Sequence, residues 1–432
     1  MNSVVKCYLL DGEFSEQNQD NFADISQVVN TNRRALHALP LPVIIEILSA
    51  LGKKIIQNPH LTKIQGITYL SLWLRKRNLE QICRINYGNL SYPDSFVDVE
   101  NRFKMTAQPR GVVALWVAAN IPTLAIISIV QTILSKNGSI VKVPEENKDI
   151  LLQFLQELAS VEVTYDNSHY SGLDIVKAIS VVSFEGRNHT ISSDFSLNAD
   201  CRLVYGGSKA IQSILALPQK DHCETIVYGP KYSFGVFDRE FIESDLFEKS
   251  LDKMAKDIAY FNQMACSSPQ VLFFEKSSFQ LQTIGEQLAR CFENLPGDLR
   301  IQPTDAGILA NIINIRAKYL LSDDKSVIAS DDLSWTILID NDFRLEDPVH
   351  GKCIFLKEVE SLDTVPELIT RKIQALSVSI FNPQKRESFA REATYLGVDR
   401  IVIPGTIHDY DLPWDGILPL SRLVRWVILK YQ

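Results

Sequence analysis

The sequence lacks the short motifs that mark the commonest metal and nucleotide sites. Its seven cysteines include no CxxC pair, and neither HExxH nor a zinc-like cysteine–histidine spacing occurs. A GxGxxG turn is also missing, so a dinucleotide fold with that glycine fingerprint is not indicated. We therefore expect no bound metal, and any nucleotide cofactor must be held by other groups.

Dense basic segments and uninterrupted apolar spans are absent as well. The net charge is −8 without any Lys/Arg block, which argues against a nucleic-acid partner. Residues 111–135 carry no charged side chain, but Asn120, Pro122 and Gln131 interrupt them. This pattern predicts a buried strand at 111–118 and a buried helix at 122–136 rather than a membrane span. The odd number of cysteines favours reduced thiols and a cytoplasmic protein.

Strand-like and helix-like segments alternate along most of the chain. At 432 residues it exceeds what one hydrophobic core usually supports, so we expect two lobes with a cleft between them. The alternation predicts an α/β fold with parallel sheets covered on both faces. The predicted strands are RGVVALWVAA, SIVKV, VEVTYD, CRLVYGG, ETIVYG, VLFFE, WTILID, CIFLKEV and DRIVIPG. The predicted helices include residues 122–136, 145–160, 240–264, 279–295 and 421–432.

The segment FNQMACSSPQVLFFE contains the sharpest candidate for chemistry. Cys266 follows a predicted helix and precedes Ser267, Ser268 and Pro269, a polar, turn-forming context. A deprotonated thiol can attack a carbonyl carbon, although an ordinary cysteine has a pKa near ~8.5. The alternative interpretation is a small, buried structural cysteine.

This segment resembles the nucleophile segment of the acyl-CoA reductase (LuxC) family, a branch of the aldehyde dehydrogenase superfamily. The similarity covers about residues 105–430 and runs in order through PRGVVALWVAANIPTLAI, NGSIVKVPEEN, VYGGSKAI, VYGPKYSFGV, MACSSPQ and LPWDGILPLSRLVRW. It implies an α/β, aldehyde dehydrogenase-like two-lobed fold with Rossmann-like parallel sheets and an interlobe active-site cleft. The expected domains are a helical N-terminal leader at 1–100, a nicotinamide cofactor-binding domain at 101–235, a catalytic domain at 236–404 and a C-terminal closing segment at 405–432.

The resemblance assigns the two chemical roles to Cys266 and Asn120. Cys266 would carry the acyl group, and the amide of Asn120 would donate to the oxyanion that forms on the attacked carbonyl. Preorganised donors of this kind are worth about 3–4 kcal/mol each. The alternative interpretation of Asn120 is a cap of the helix that follows it.

The same resemblance implies a set of cofactor-binding residues. Lys142 would contact the adenosine ribose and the neighbouring phosphate, and Gly206, Gly207 and Ser208 would hold the pyrophosphate at a helix N-terminus. A glutamate at the position of Glu145 favours the ribose hydroxyls of NAD and would repel the 2′-phosphate of NADPH, whereas the resembled family uses NADPH. We expect NADPH, with NADH as the alternative.

One departure from the hydrolytic aldehyde dehydrogenases points to reduction. They place a water-activating glutamate two residues before the glycine that matches Gly229, and this chain has Val227 there. We expect NADPH-dependent reduction of an acyl-CoA or acyl-carrier thioester to the aldehyde through an acyl-cysteine. The alternatives are an NAD-dependent, CoA-acylating aldehyde dehydrogenase and a non-catalytic scaffold subunit.

The resemblance also implies homo-oligomers and an acyl-activating synthetase as a partner. It includes a Trp414–Asp415–Gly416 motif without a derivable chemical role, which either shapes the acyl entrance or forms a turn.

Overall fold

The computed structural model describes residues 5–300 and 305–430. The strands are β1 Val5–Leu9, β2 Gln17–Gln19, β3 Val97–Val99, β4 Phe103–Pro109, β5 Val112–Trp116, β6 Gly138–Lys142, β7 Glu162–Tyr165, β8 Ser168–Ser171, β9 Ile179–Ser183, β10 Cys201–Tyr205, β11 Glu224–Tyr228, β12 Tyr232–Phe237, β13 Pro269–Glu275, β14 Ser326–Ala329, β15 Thr336–Asp340, β16 Cys353–Val359, β17 Ile373–Ser379, β18 Arg400–Val402 and β19 Val424–Leu429. The helices are α1 Phe22–Ala38, α2 Leu41–Ile55, α3 Ile67–Trp73, α4 Lys76–Tyr87, α5 Leu124–Leu134, α6 Lys148–Ala159, α7 Gly172–Val176, α8 His189–Leu197, α9 Ser208–Leu215, α10 Arg239–Ile242, α11 Phe247–Ala259, α12 Leu281–Glu293, α13 Ala306–Leu320, α14 Pro383–Leu396 and α15 Pro419–Arg422.

The chain divides into two compact units. The first comprises Met1–Gly229 with Ile417–Gln432, and the second comprises Pro230–Gly416. Each contains one large, mostly parallel sheet. The α/β class and the pair of sheet-containing lobes expected from the sequence are therefore confirmed.

The first unit is built on a seven-stranded sheet of order β11-β10-β5-β6-β9-β1-β2. The strands β11, β10, β5, β6 and β9 are mutually parallel, and β1 pairs with β9 in the antiparallel sense. Residues 1–100, expected as a helical leader, provide α1–α4 but also β1 and β2 of this sheet. β2 is the edge strand, and β1 lies between it and β9, a partner far away in the sequence that the local pattern does not reveal.

The apolar segment at 111–135 forms the predicted strand and helix, β5 and α5. All five residues of β5 are buried, and so are all residues of α5 except Leu124. Among the described residues no single helix has the length and apolar character needed to span a membrane. One sharply bent pair, Phe22–Ala38 with Leu41–Ile55, meets those criteria jointly.

The second unit is built on a seven-stranded sheet of order β14-β15-β16-β13-β12-β17-β18. Its strands are parallel apart from β14, which pairs antiparallel with β15. Along β13, Val271 and Phe273 belong to one hydrophobic cluster and Leu272 and Phe274 to the other. Because alternate side chains point to opposite faces, this sheet is buried on both sides, and the continuous apolar run of VLFFE follows from that.

Two predicted helices and one predicted strand differ from the structure. The helix expected at 240–264 is split into α10 and α11, and the helix expected at 421–432 is the short α15 followed by strand β19; residues 431–432 lie outside the described residues. β19 pairs antiparallel with β4, a partner remote in sequence. VEVTYD forms β7, which pairs with β8 in a separate two-stranded hairpin. The internal strands β9, β12 and β17 of the two large sheets were also not predicted from the sequence.

We predict that Gly172→Ala destabilises the first unit strongly. A Cβ at this glycine would lie 1.9 Å from the backbone oxygen of Leu158, which cannot move without disturbing α6. We expect a loss of about 2–4 kcal/mol in the free energy of unfolding, measured by chemical denaturation. Gly297→Ala is the matched control, because its added Cβ meets no atom within 4 Å. Equal stability of the two variants would contradict the packing argument.

Candidate active site

The residues assigned to cofactor and oxyanion lie at one edge of the first sheet. The strands β10, β5 and β6 are neighbours and parallel, with Val204 opposite Trp116 and Trp116 opposite Lys142. Their carboxyl ends therefore emerge side by side. From β5 the chain passes to β6 on one side and later returns to β10 on the other, so this edge contains the point at which the strand order reverses.

Asn120 is exposed in the turn between β5 and α5. The carbonyl of the preceding Ala119 accepts a 3.0 Å hydrogen bond from the side-chain amide of buried Asn147, which fixes the turn. The helix α5 has Thr123 as its N-cap, so Asn120 does not occupy the capping position that was its alternative interpretation. Asn147 was not identified from the sequence, because its partner is a backbone atom on another loop.

Lys142 ends β6 and Glu145 follows it in a short 3₁₀ turn. The ammonium of Lys142 lies 4.9 Å from the ring centre of Phe184, and burial lowers its pKa. Glu145 is exposed and forms an ion pair with Lys148, which holds the pKa of the Glu145 carboxyl below its usual value. The hydroxyl of Tyr8 donates a weaker, 3.4 Å hydrogen bond to the same carboxylate. Lys148 is a cation at this edge that the sequence reading did not name.

Gly206, Gly207 and Ser208 connect β10 to α9. Gly207 is the N-cap of α9 and is exposed, and a Cβ placed on it would meet no atom within 4 Å. The first N–H groups of α9 are thus open to a ligand, and the helix dipole favours an anion there. These groups suit a pyrophosphate.

Cys266 lies on the loop that enters β13, in the second unit. The hydroxyl of Ser233 donates a 2.8 Å hydrogen bond to the Cys266 carbonyl oxygen, which anchors the loop to β12. The residue is half-buried. Burial and the charge of Asp415 raise the pKa of the thiol to about 12, whereas N–H groups of Gln374, Cys266 and Ser267 lower it. The thiol is therefore protonated at neutral pH, although the N–H groups that lower its pKa favour the anion.

A left-handed turn precedes Cys266 and explains why the predicted long helix ends early. Phe261, Asn262 and Gln263 have φ values of 51°, 51° and 63°. The carboxamide of buried Gln263 donates to the carbonyl oxygens of Pro269 at 2.9 Å and Cys353 at 3.0 Å, and accepts from the Cys353 N–H at 2.8 Å. These bonds offset the strain of the turn and hold both ends of the Cys266 loop.

The residue after Cys266 is tied to a second loop through His408. Nε2 of His408 donates to the carbonyl oxygen of Asp257 at 2.7 Å, so Nδ1 accepts the 3.0 Å hydrogen bond from the Ser267 hydroxyl. Burial lowers the pKa of His408 to about 4, which keeps the ring neutral and this arrangement intact. Burial raises the pKa of the Asp257 carboxyl to about 7, although the Gly405 N–H donates to it at 2.6 Å.

Residues 46–426 match the family described as acyl-CoA reductase (LuxC). Long-chain acyl-protein thioester reductase of Vibrio harveyi is 24% identical over 376 residues, which cover 86% of this chain and 74% of that protein. The protein of the same name from Aliivibrio fischeri is 22% identical over 363 residues, covering 82% and 70%.

Solved structures of aldehyde dehydrogenases share the fold. Lactaldehyde dehydrogenase from Escherichia coli has a TM-score of 0.71 at 11% identity and covers 99% of both chains. An NAD-dependent benzaldehyde dehydrogenase from Corynebacterium glutamicum has a TM-score of 0.67 at 14% identity, covering 99% of this chain and 94% of that one. An NADP-dependent enzyme of E. coli has a TM-score of 0.72 at 13% identity, covering 99% and 95%. The expected aldehyde dehydrogenase fold is confirmed.

We predict that the free energy of unfolding of Asp257→Asn depends on pH, whereas in the wild type two opposing proton changes cancel. Between pH 4 and 6.5, unfolding takes up a proton at His408 and releases one at Asp257, so the two effects cancel. Asparagine keeps an acceptor for the Gly405 N–H but does not titrate. The stability that neutral His408 contributes should then be complete above pH 6.5 and fall by roughly 1–3 kcal/mol as the pH drops toward 4.

Urea unfolding of Asp257→Asn at several pH values checks this expectation. The double variant Asp257→Asn/His408→Gln is the control, because both titrating groups are removed and the added slope should disappear. If the free energy of unfolding varies with pH in the same way in the wild type and in Asp257→Asn, the two proton changes do not cancel as proposed.

Proposed function

Because the chain belongs to the acyl-CoA reductase (LuxC) family, we propose that it uses Cys266 and NADPH to reduce an acyl thioester to the aldehyde. Family and fold make it an aldehyde-forming oxidoreductase of the aldehyde dehydrogenase superfamily. The role of Cys266 is supported by its place on a half-buried loop that Ser233 and Gln263 hold, and by the N–H groups of Gln374, Cys266 and Ser267, which lower the pKa of its thiol. Hydrogen-bond donors aimed at a sulfur stabilise the thiolate, which is the nucleophilic form.

The proposed reaction begins when the Cys266 thiol loses its proton and the sulfur attacks the thioester carbonyl. The new C–S bond forms, the carrier sulfur leaves as a thiolate that takes up a proton, and an acyl-cysteine remains. A reduced nicotinamide, held by Lys142 and the N-terminus of α9, would supply the hydride for the acyl carbon. The oxyanion of the resulting thiohemiacetal then re-forms the carbonyl, the bond to Cys266 breaks, and the aldehyde leaves. The Cys266 thiolate takes up a proton from water, which restores the thiol.

Two groups are proposed to stabilise the negative oxygen in both addition steps. The amide of Asn120 stands in an exposed turn fixed by Asn147, and the backbone N–H of Cys266 belongs to the attacking residue itself. Fixed donors are effective because they need no reorganisation when charge develops.

Survival of the acyl-cysteine depends on keeping activated water away from it. Val227 occupies the position at which hydrolytic relatives carry a glutamate base, and it lies half-buried on β11. A valine cannot take a proton from water. The acyl group is therefore left for hydride transfer or for exchange with a carrier thiol.

The cofactor is proposed to occupy the carboxyl edge of the first sheet. The open N-terminus of α9, with Gly206, Gly207 and Ser208, would take the pyrophosphate, and Lys142 would take the adenosine ribose and its phosphate. For NADPH, Lys148 adds a second cation that offsets Glu145. Glu145 itself favours the alternative, an NAD-linked, CoA-acylating aldehyde dehydrogenase, because a carboxylate there repels a 2′-phosphate.

The acyl donor is proposed to be a thioester of coenzyme A or of an acyl carrier. The names of the relatives specify long-chain acyl groups on protein thioesters. We extend that substrate class to this chain, with an acyl-activating synthetase as the supplier, a cytoplasmic location and a homo-oligomeric assembly as parts of the same proposal. A scaffold subunit, the remaining alternative, would take up no acyl group.

We predict that Cys266→Ala abolishes thioester reduction. Removing the nucleophile should lower the rate of NADPH oxidation with a long-chain acyl-CoA by roughly a thousandfold or more, because no acyl-enzyme can form. Absorbance of the reduced nicotinamide gives the rate. Cys291→Ala, at another half-buried cysteine, should keep nearly wild-type activity. Activity retained in Cys266→Ala would rule out the assignment.

We predict that Glu145→Gln shifts cofactor preference toward NADPH. Loss of the carboxylate removes repulsion of the 2′-phosphate and releases Lys148 from its ion pair. The KM for NADPH should fall severalfold relative to the KM for NADH, measured with one acyl donor. Glu146→Gln, at the adjacent exposed carboxylate, should leave this ratio unchanged. If the ratio of the KM for NADPH to the KM for NADH is the same in Glu145→Gln and Glu146→Gln, Glu145 does not face the cofactor.

A further inference from the structure

A cavity of about 580 Å³ lies in the second unit, at the edge of the sheet where β15 and β16 begin. Its volume falls within the roughly 300–1,000 Å³ that small-molecule sites occupy. Phe292, Leu295 and Trp335 provide an apolar wall, in which the rings of Phe292 and Trp335 stack with centres 5.9 Å apart. Lys352, the residue before β16, also lines the cavity. The lining therefore suits a ligand that has an apolar part and a group that an amine can recognise.

Two left-handed turns that bind each other hold Lys352 in place. His350, Gly351 and Lys352 have φ values of 67°, 64° and 59°. This turn packs on the one at 261–263: the Gly351 N–H donates to the Asn262 carbonyl oxygen, and Nζ of Lys352 donates to the Asn262 side-chain oxygen, each at 3.0 Å. Lys352 is only 1% exposed. Because strained backbone of this kind persists only where its surroundings fix it, the amine has a defined position at the cavity wall.

Burial makes the Lys352 amine reactive near neutral pH. It lowers the pKa of the amine to about 8, although the charge of Asp332 raises it. The other charged side chains that line the cavity are Glu293, Arg300 and Asp331. With this pKa about a tenth of the amine is neutral at pH 7, against fewer than about one in a thousand for an ordinary lysine. A neutral lysine amine attacks carbonyl carbons, and desolvation in a pocket is one of the ways in which proteins activate it.

We propose that Lys352 holds a long-chain aldehyde in this cavity as an imine, with the alkyl chain against the apolar wall. The amine nitrogen adds to the aldehyde carbon, and a C–N bond forms. The carbonyl oxygen then leaves as water with both hydrogens of the amine, and a C=N bond remains. No oxidant or reductant takes part, and water reverses the step. The chain is an aldehyde-forming oxidoreductase, so its own product supplies the ligand; only the length of the alkyl chain rests on the proposed function.

Reductive trapping on the full-length protein tests the imine. The protein would be mixed at pH 7 with decanal and sodium cyanoborohydride, which converts an imine to a stable secondary amine, and the labelled lysines identified by peptide mass spectrometry. Lys352 should be labelled at least tenfold faster than the exposed Lys53 and Lys372. Propanal is the matched probe, because it has the same carbonyl group but little alkyl chain. Its selectivity for Lys352 over Lys372 should be at least fivefold lower than that of decanal.

A variant that fills the cavity tests the role of its walls. Ala329→Phe places a ring in the cavity from β14 and should slow labelling of Lys352 by decanal at least fivefold. Ser326→Phe, on the same strand but away from the cavity lining, should match the wild type. Should Ala329→Phe not fold, the comparison of decanal with propanal on the wild type decides.

Three results would each overturn the proposal. They are labelling of Lys352 no faster than that of Lys372, equal selectivity of decanal and propanal, and wild-type labelling of a folded Ala329→Phe variant. Because the aldehyde is added directly, none of these measurements depends on thioester reduction. Activity retained in Cys266→Ala would therefore refute the proposed function and leave the aldehyde site standing.

Discussion

The reactivity of half-buried Cys266 depends on how its thiol is converted to the thiolate. Burial and the Asp415 charge raise the pKa of the Cys266 thiol, and the N–H groups of Gln374, Cys266 and Ser267 oppose that rise. Donors of this kind are effective only while the loop keeps its shape. Gln263 and His408 maintain it, one by bracing both loop ends and the other by holding Ser267. The reactivity of the Cys266 sulfur therefore depends on side chains from several loops of the second unit.

In the first unit, the order of the parallel strands determines which residues lie close together at the edge of the sheet. Because β10, β5 and β6 are neighbours, the turns after them share one edge, although their residues are far apart in the chain. That edge offers an open helix N-terminus, a half-buried lysine and an exposed amide, which are groups suited to an anionic cofactor and a developing oxyanion. Lys148 forms an ion pair with Glu145 there, so we expect the choice between NADPH and NADH to depend on both charges rather than on Glu145 alone.

The sequence predicted the secondary structure correctly where the residues of an element themselves determine its conformation. β5, β6, β10 and β13 are apolar runs bounded by turn residues, and they were predicted because full burial on both faces leaves that pattern. β19 was misread as helix, since only its pairing with the distant β4 decides its conformation. The left-handed turn at 261–263 was missed because its residue types do not demand it; Gln263 stabilises it through partners across the fold. For the same reason the hydrogen bond between Gln374 and Asp415 was not foreseen.

Peptide mapping after acyl transfer tests the central claim most directly. The full-length protein would be mixed with a long-chain acyl-CoA in the absence of reduced nicotinamide, digested at low pH to preserve thioesters, and analysed by mass spectrometry. We predict one acyl group, on the peptide that contains Cys266, and its disappearance with release of aldehyde once NADPH is added. An acyl group on another cysteine, or none in a protein that nevertheless produces aldehyde, would contradict it.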